Sequence, residues 1–106
     1  MPADIADGEV VDPHLSDLGE GGVTVEIPAG TYEWEGTNLT LETDDELIGL
    51  GDPGDVVFEL TDDATMDGYV SEGALVENVV VRGSNGASKA GVNVYPGATL
   101  NGFVWP

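Results

Sequence analysis

The sequence predicts an all-β fold, a right-handed parallel β-helix (solenoid) of about three to four coils behind a short N-terminal lead-in. Three observations predict it. Apolar residues fall in short runs with a period of two, Gly and Pro separate most of the runs, and the runs recur about every 23 residues. At 106 residues, the chain is the size of one domain with one modest core.

The lead-in or cap segment spans 1–22, and the coils span 23–106. The lead-in opens with Asp4, Asp7 and Glu9 and holds the one helical candidate, Asp12-Pro13-His14-Leu15-Ser16-Asp17-Leu18. Asp12 stands where an N-cap is expected, Pro13 takes the first helical position, and Gly19, Gly21 and Gly22 end the turn. Elsewhere 14 Val, 8 Thr, 16 Gly and 6 Pro work against helix. From Val23 the alternation is clean: Val23-Thr24-Val25-Glu26-Ile27 has one apolar and one polar face. Pro28-Ala29-Gly30 reads as a turn. Strand-like runs follow at Leu39–Leu41, Leu47–Leu50, Val56–Leu60, Val79–Val81, Val92–Tyr95 and Phe103–Trp105.

The repeat sets the architecture. Asp55-Val56-Val57-Phe58, Asn78-Val79-Val80-Val81 and Asn101-Gly102-Phe103-Val104 each place an Asx residue before a buried run, at steps of 23. A second series joins Ile48, Val70 and Val94, and Gly73-Ala74 is echoed by Gly97-Ala98. A propeller blade needs about 40 residues, so a step this short suits a solenoid coil. In such a coil the inward aliphatic side chains stack into one column. Asp55, Asn78 and Asn101 then either form a ladder of side-chain hydrogen bonds or simply start strands after turns.

Charge narrows the function classes. The chain carries 21 Asp+Glu against 2 Lys+Arg, a net charge of −19. That argues against nucleic acid and against an anionic membrane surface, which both need clustered basic residues. Repulsion at this density is screened only by concentrated salt, where the Debye length is about 3 Å rather than about 10 Å. The near-loss of Lys resembles proteins of salt-loving archaea. With no Cys, disulfide scaffolds, thiolate metal sites and cysteine nucleophiles are excluded. No leader peptide or membrane span is legible, and the compartment stays open.

Gly21-Gly22-Val23-Thr24-Val25-Glu26-Ile27-Pro28-Ala29-Gly30-Thr31-Tyr32 resembles the first coil of the pectin lyase-like superfamily of right-handed parallel β-helices. Leu47-Ile48-Gly49-Leu50-Gly51 and Glu77-Asn78-Val79-Val80-Val81-Arg82-Gly83 look like its following coils. The resemblance implies the fold over about Gly21 to Trp105, with a haloarchaeal N-terminal portion as the expected source. It leaves chemistry open, because that superfamily includes lyases, hydrolases, epimerases, tailspikes and adhesins. The chain stops after Trp105-Pro106 without a polar cap. It is therefore expected to be the start of a longer protein, or to stack end to end with another copy through its C-terminal coil.

No catalytic residue and no metal or other cofactor is assigned. Lyases of this superfamily use a basic residue, and only Arg82 and Lys89 are present, with no family motif around them. Glu33 and Glu35 share one face of a possible strand, with Tyr32 and Trp34 on the other. Tyr32 and Trp34 are the carbohydrate-binding candidates, since sugar rings pack on aromatic faces; the alternative is that they pack into the coil or its cap. Asp44-Asp45-Glu46, Asp52 with Asp55, and Asp62-Asp63 offer oxygen ligands but match no calcium loop, so they read as solvated surface. Gly49-Leu50-Gly51-Asp52-Pro53-Gly54 matches a dinucleotide pattern but is followed by a strand rather than a helix. His14 reads as a surface residue, and Asn38-Leu39-Thr40 is a glycosylation sequon. The expected function is a non-catalytic structural or carbohydrate-recognition module adapted to high salt, with a polysaccharide as partner class. Two alternatives stay open: the start of a polysaccharide lyase or glycoside hydrolase with its catalytic coils beyond Pro106, and a self-associating surface or assembly protein.

Overall fold

Strands in this protein pair in parallel with the strand three places further along the chain, which sorts them into three sheets. The computed structural model describes residues 4–35, 38–52, 54–60, 65–83, 89–94 and 99–101. A single 3-10 turn, Asp12–Leu15, precedes the strands. They are β1 (Thr24–Ile27), β2 (Gly30–Trp34), β3 (Asn38–Leu41), β4 (Glu46–Gly49), β5 (Val56–Leu60), β6 (Thr65–Val70), β7 (Leu75–Glu77), β8 (Val80–Gly83), β9 (Lys89–Val94) and β10 (Thr99–Asn101). The first sheet has the order β1-β4-β7-β10, the second β2-β5-β8 and the third β3-β6-β9. An all-β chain of parallel sheets is what the sequence leads one to expect, and the arrangement is compatible with a parallel β-helix.

Register explains the core. Val25 lies beside Leu47 and Leu47 beside Val76 in the first sheet. Tyr32, Phe58 and Val81 line up in the second, and Leu41 and Val70 in the third. All of these are buried and belong to one apolar cluster. The intervening residues face outward: Glu33 and Glu59 are exposed, as is Arg82 in the same register row. Alternation therefore decides most of which side chains are buried, with Val57 of β5 an exception, buried between Val56 and Phe58, and each large buried side chain contributes roughly 1.5–3 kcal/mol.

The repeat is real but uneven. Val57 pairs with Val80, 23 residues on, and Leu75 with Thr99, 24 residues on. Glu46, however, pairs with Leu75, 29 residues on, because the turns differ in length. Two expectations are corrected here. Ile48 belongs to the first sheet, beside Glu77, whereas Val70 and Val94 pair in the third, so that series mixes two sheets. Asn101 lies beside Glu77 rather than continuing from Asn78, and the Asp55 carboxylate accepts the Asp52 N–H at 2.8 Å, which closes its own turn. Backbone register therefore does not place Asp55, Asn78 and Asn101 in one row. Gly30, expected in a turn, opens β2, while Phe103–Trp105 lies outside the described residues.

The lead-in packs on the free side of β2. Gly8 N–H donates to Thr31 O (2.8 Å), Glu33 N–H to Glu9 O (2.9 Å) and Val11 N–H to Glu33 O (2.8 Å), around a parallel bridge between Val10 and Glu33. Val11, Leu15 and Leu18 are buried in the same cluster as the strands. Asp12 does not cap its own turn. Val11 occupies the N-cap position, and the Asp12 carboxylate accepts the Glu35 N–H instead, at 2.9 Å.

Candidate functional site

One carboxylate in this acidic chain is fully buried, among the described residues. Asp45 is 0% exposed, in the turn between β3 and β4. Its phase explains this: Leu47 and Gly49 face inward from β4, and two positions earlier the same inward direction falls on Asp45. Register places it between Val23 and Ala74 in the neighbouring turns. An unpaired carboxylate there would be costly. Asp45 is paired four times. Oδ2 accepts from Gly19 N–H (2.7 Å) and Glu42 N–H (2.9 Å), while Oδ1 accepts from Gly21 N–H and Val23 N–H (3.0 Å each).

The loop from Gly19 to Gly22 makes this possible. Gly19 and Gly21 hold φ of +99° and +91°, a left-handed backbone that lets alternate N–H groups converge on one acceptor. Burial acts to raise the Asp45 pKa, but the four backbone N–H bonds outweigh it and hold the carboxyl below the usual carboxylate range. The group is ionised at neutral pH. Its chemistry is that of an anchor: a saturated anion has no lone pair directed at an incoming ligand.

Tyr32 and Trp34 lie in the core, 1% and 2% exposed. The Tyr32 hydroxyl donates to Pro28 O, and burial followed by the Asp7 carboxylate raises its pKa above the ordinary phenol value. Trp34 forms part of the floor of a cleft of about 270 Å³ between the lead-in and β3, with Leu15, Leu18 and Leu39 below and Ser16, Asn38 and Thr40 at the rim. Both rings thus contribute chiefly to the apolar core. A second cleft, about 310 Å³, lies between the lead-in turn and Thr24–Glu26 of β1. The exposed aromatic among the described residues is Tyr69, on β6 beside Thr40.

The other candidates remain apart. Arg82 is exposed on the second sheet, and Lys89 begins β9 on the third, so the two cations do not share a sheet. His14 is half-buried in the lead-in turn, and Asp52 and Asp55 are exposed. Asp62 and Asp63 lie outside the described residues. Among the described residues no three of His, Cys, Asp and Glu converge as metal ligands, and no helix is long and apolar enough to cross a membrane. The dinucleotide-like stretch leads from β4 to β5, with no helix among the described residues between them to receive a phosphate. Sequence reasoning placed Asp45 on the surface with its acidic neighbours. The signal that could have found it is its phase with Leu47 and Gly49, together with a glycine loop about one repeat earlier. Comparisons with family models, with curated proteins and with solved structures give no match.

Proposed function

We propose that this chain is a structural module: a right-handed parallel β-helix in which the three sheets are the faces, three strands make each coil, and the lead-in covers one end. The observation that carries the reading is the in-register stacking of buried side chains from strand to strand in all three sheets. Right-handedness follows from the strong preference of parallel crossovers for that hand. Stacked coils give a stiff body whose outward residues are free to vary, which suits a spacer or platform. The net charge of −19 on this small body supports adaptation to concentrated salt. Carbohydrate recognition draws no support from Tyr32 and Trp34, since both rings are buried.

The test is incubation of the whole chain in molar KCl with polyuronides and with neutral polysaccharides, following unsaturated and reducing products. The structural reading expects no product above a denatured control. Turnover by this chain alone overturns it in favour of an enzyme.

A further inference from the structure

The lead-in is attached in two different ways. Along β2, beside the backbone bonds of Gly8, Glu9 and Val11, two side-chain bonds lie near water: Asp7 Oδ1 accepts from Thr31 N–H (3.1 Å) and Asp12 Oδ1 from Glu35 N–H (2.9 Å), both at exposed positions. Water competes for such bonds, so each adds little. At the other end, Gly19, Gly21 and Val23 donate to a carboxylate that water does not reach. Bonds to a buried charge are the strong kind, and removing the acceptor strands the donors.

Electrostatics push the opposite way. The lead-in holds Asp4, Asp7, Glu9, Asp12, Asp17 and Glu20, with His14 as its one basic side chain of any kind. It packs against elements bearing Glu33, Glu35, Glu42, Asp44 and Glu46, and the next turn carries Glu72. The titratable groups on the elements around Asp45 are thus Asp17 and Glu20 from the lead-in, Glu42 and Asp44 from its own turn, Glu46 from β4 and Glu72 from the following turn. All are acidic. The segment is drawn in by Val11, Leu15 and Leu18 and repelled by its charges.

We propose that Asp45 is a latch: its buried carboxylate holds the lead-in closed over β2 and the end of the core, and releasing it opens the lead-in as a unit while the three sheets stay formed. The contacts that would be lost and those that would be kept are separable on the structure. Opening breaks the bonds that join Gly8, Glu9 and Val11 to β2, the bond from Gly22 N–H to Thr43 O and those from Gly19 and Gly21 to Asp45, but not the bond from Glu42 to Asp45 or the β1–β4, β2–β5 and β5–β8 pairings. Opening also uncovers the edge of β2, an unpaired strand edge that the closed lead-in hides.

Native-state hydrogen exchange on the full chain in molar KCl tests this, comparing wild type with Asp45→Asn. The amides of Gly8, Val11, Gly19 and Gly21 are expected to exchange at least about 100-fold faster in the variant. The amides of β5 and β8 are expected to keep their wild-type protection. Uniform acceleration across lead-in and sheets overturns the proposal, as does no change in the lead-in. Should the variant fail to fold, the wild type decides. A denaturant series must show the lead-in amides exchanging through a smaller opening than the β5 amides; exchange of both only by global unfolding overturns the latch.

Discussion

Gly49→Ala tests the close approach of two turns of the chain. Gly49 is buried at the end of β4, beside Ile27 in register. On its inner side the chain passes from β7 to β8 through Asn78, which takes a left-handed φ of +56°. A Cβ at position 49 would overlap the Asn78 carbonyl oxygen, stand 3.0 Å from the carbonyl carbon and lie 3.2 Å from Val56 Cβ. The obstacle is backbone, which has no rotamer to yield. Either the Asn78 turn shifts, pulling β8 from β5, or β4 shifts from β1. Overpacking of a tight interior costs about 1–3 kcal/mol, and a backbone obstacle places this case near about 3 kcal/mol. For a domain of this size that lowers Tm by more than about 10 °C. Urea unfolding in molar KCl, with Glu59→Ala on the exposed side of β5 as control, measures it. The control is expected to change stability by less than about 0.5 kcal/mol. A Gly49→Ala variant equally close to wild type would refute the argument that these segments touch.

Three further outcomes are expected. Thermal unfolding is expected to shift upward from dilute buffer to molar KCl, because a net charge of −19 is left unscreened in the former; coincident melting curves would contradict salt adaptation. Asp45 has a lowered folded pKa, so the stability it contributes is present above its unfolded value of about 3.9 and is lost as pH falls through the folded pKa. The stability gap between wild type and Asp45→Asn, read by urea unfolding in molar KCl, is therefore expected to be flat at neutral pH and to narrow in acid. Tyr32 has a raised folded pKa, so its contribution holds below about pH 10 and falls as pH rises through the folded value. The gap between wild type and Tyr32→Phe should narrow in alkali, and a constant gap would contradict the burial of the hydroxyl.

Much of this structure was legible because inward and outward residues alternate. Val25 and Ile27, and Tyr32 and Trp34 against Glu33 and Glu35, reveal their faces by period alone. β7 was missed because it is three residues long and its Leu75 faces outward, so no apolar pattern marks it. Ile48 joined the wrong series for a related reason. Where turns differ in length, a single repeat number aligns residues from different sheets. Asp45 is hard to see in the sequence because residue type outweighs position: a carboxylate suggests surface, although its phase points inward and a glycine loop stands ready to receive it. Tyr32 and Trp34 illustrate the converse, since aromatic side chains serve a sugar or a core equally well and only burial separates the two.

The central claim is that residues far apart in sequence stand in rows across parallel sheets. Glu33 and Arg82 are exposed residues in one row of the second sheet, with Glu59 between them. The natural absence of Cys allows nitroxide labels to be placed at positions 33 and 82 alone. Two strand spacings put their backbones about 10 Å apart, close enough for strong dipolar broadening in a continuous-wave spin-resonance spectrum. Broadening relative to the two singly labelled chains, in molar KCl, is the result predicted; a spectrum equal to the sum of the single labels would contradict the stacking of β2, β5 and β8.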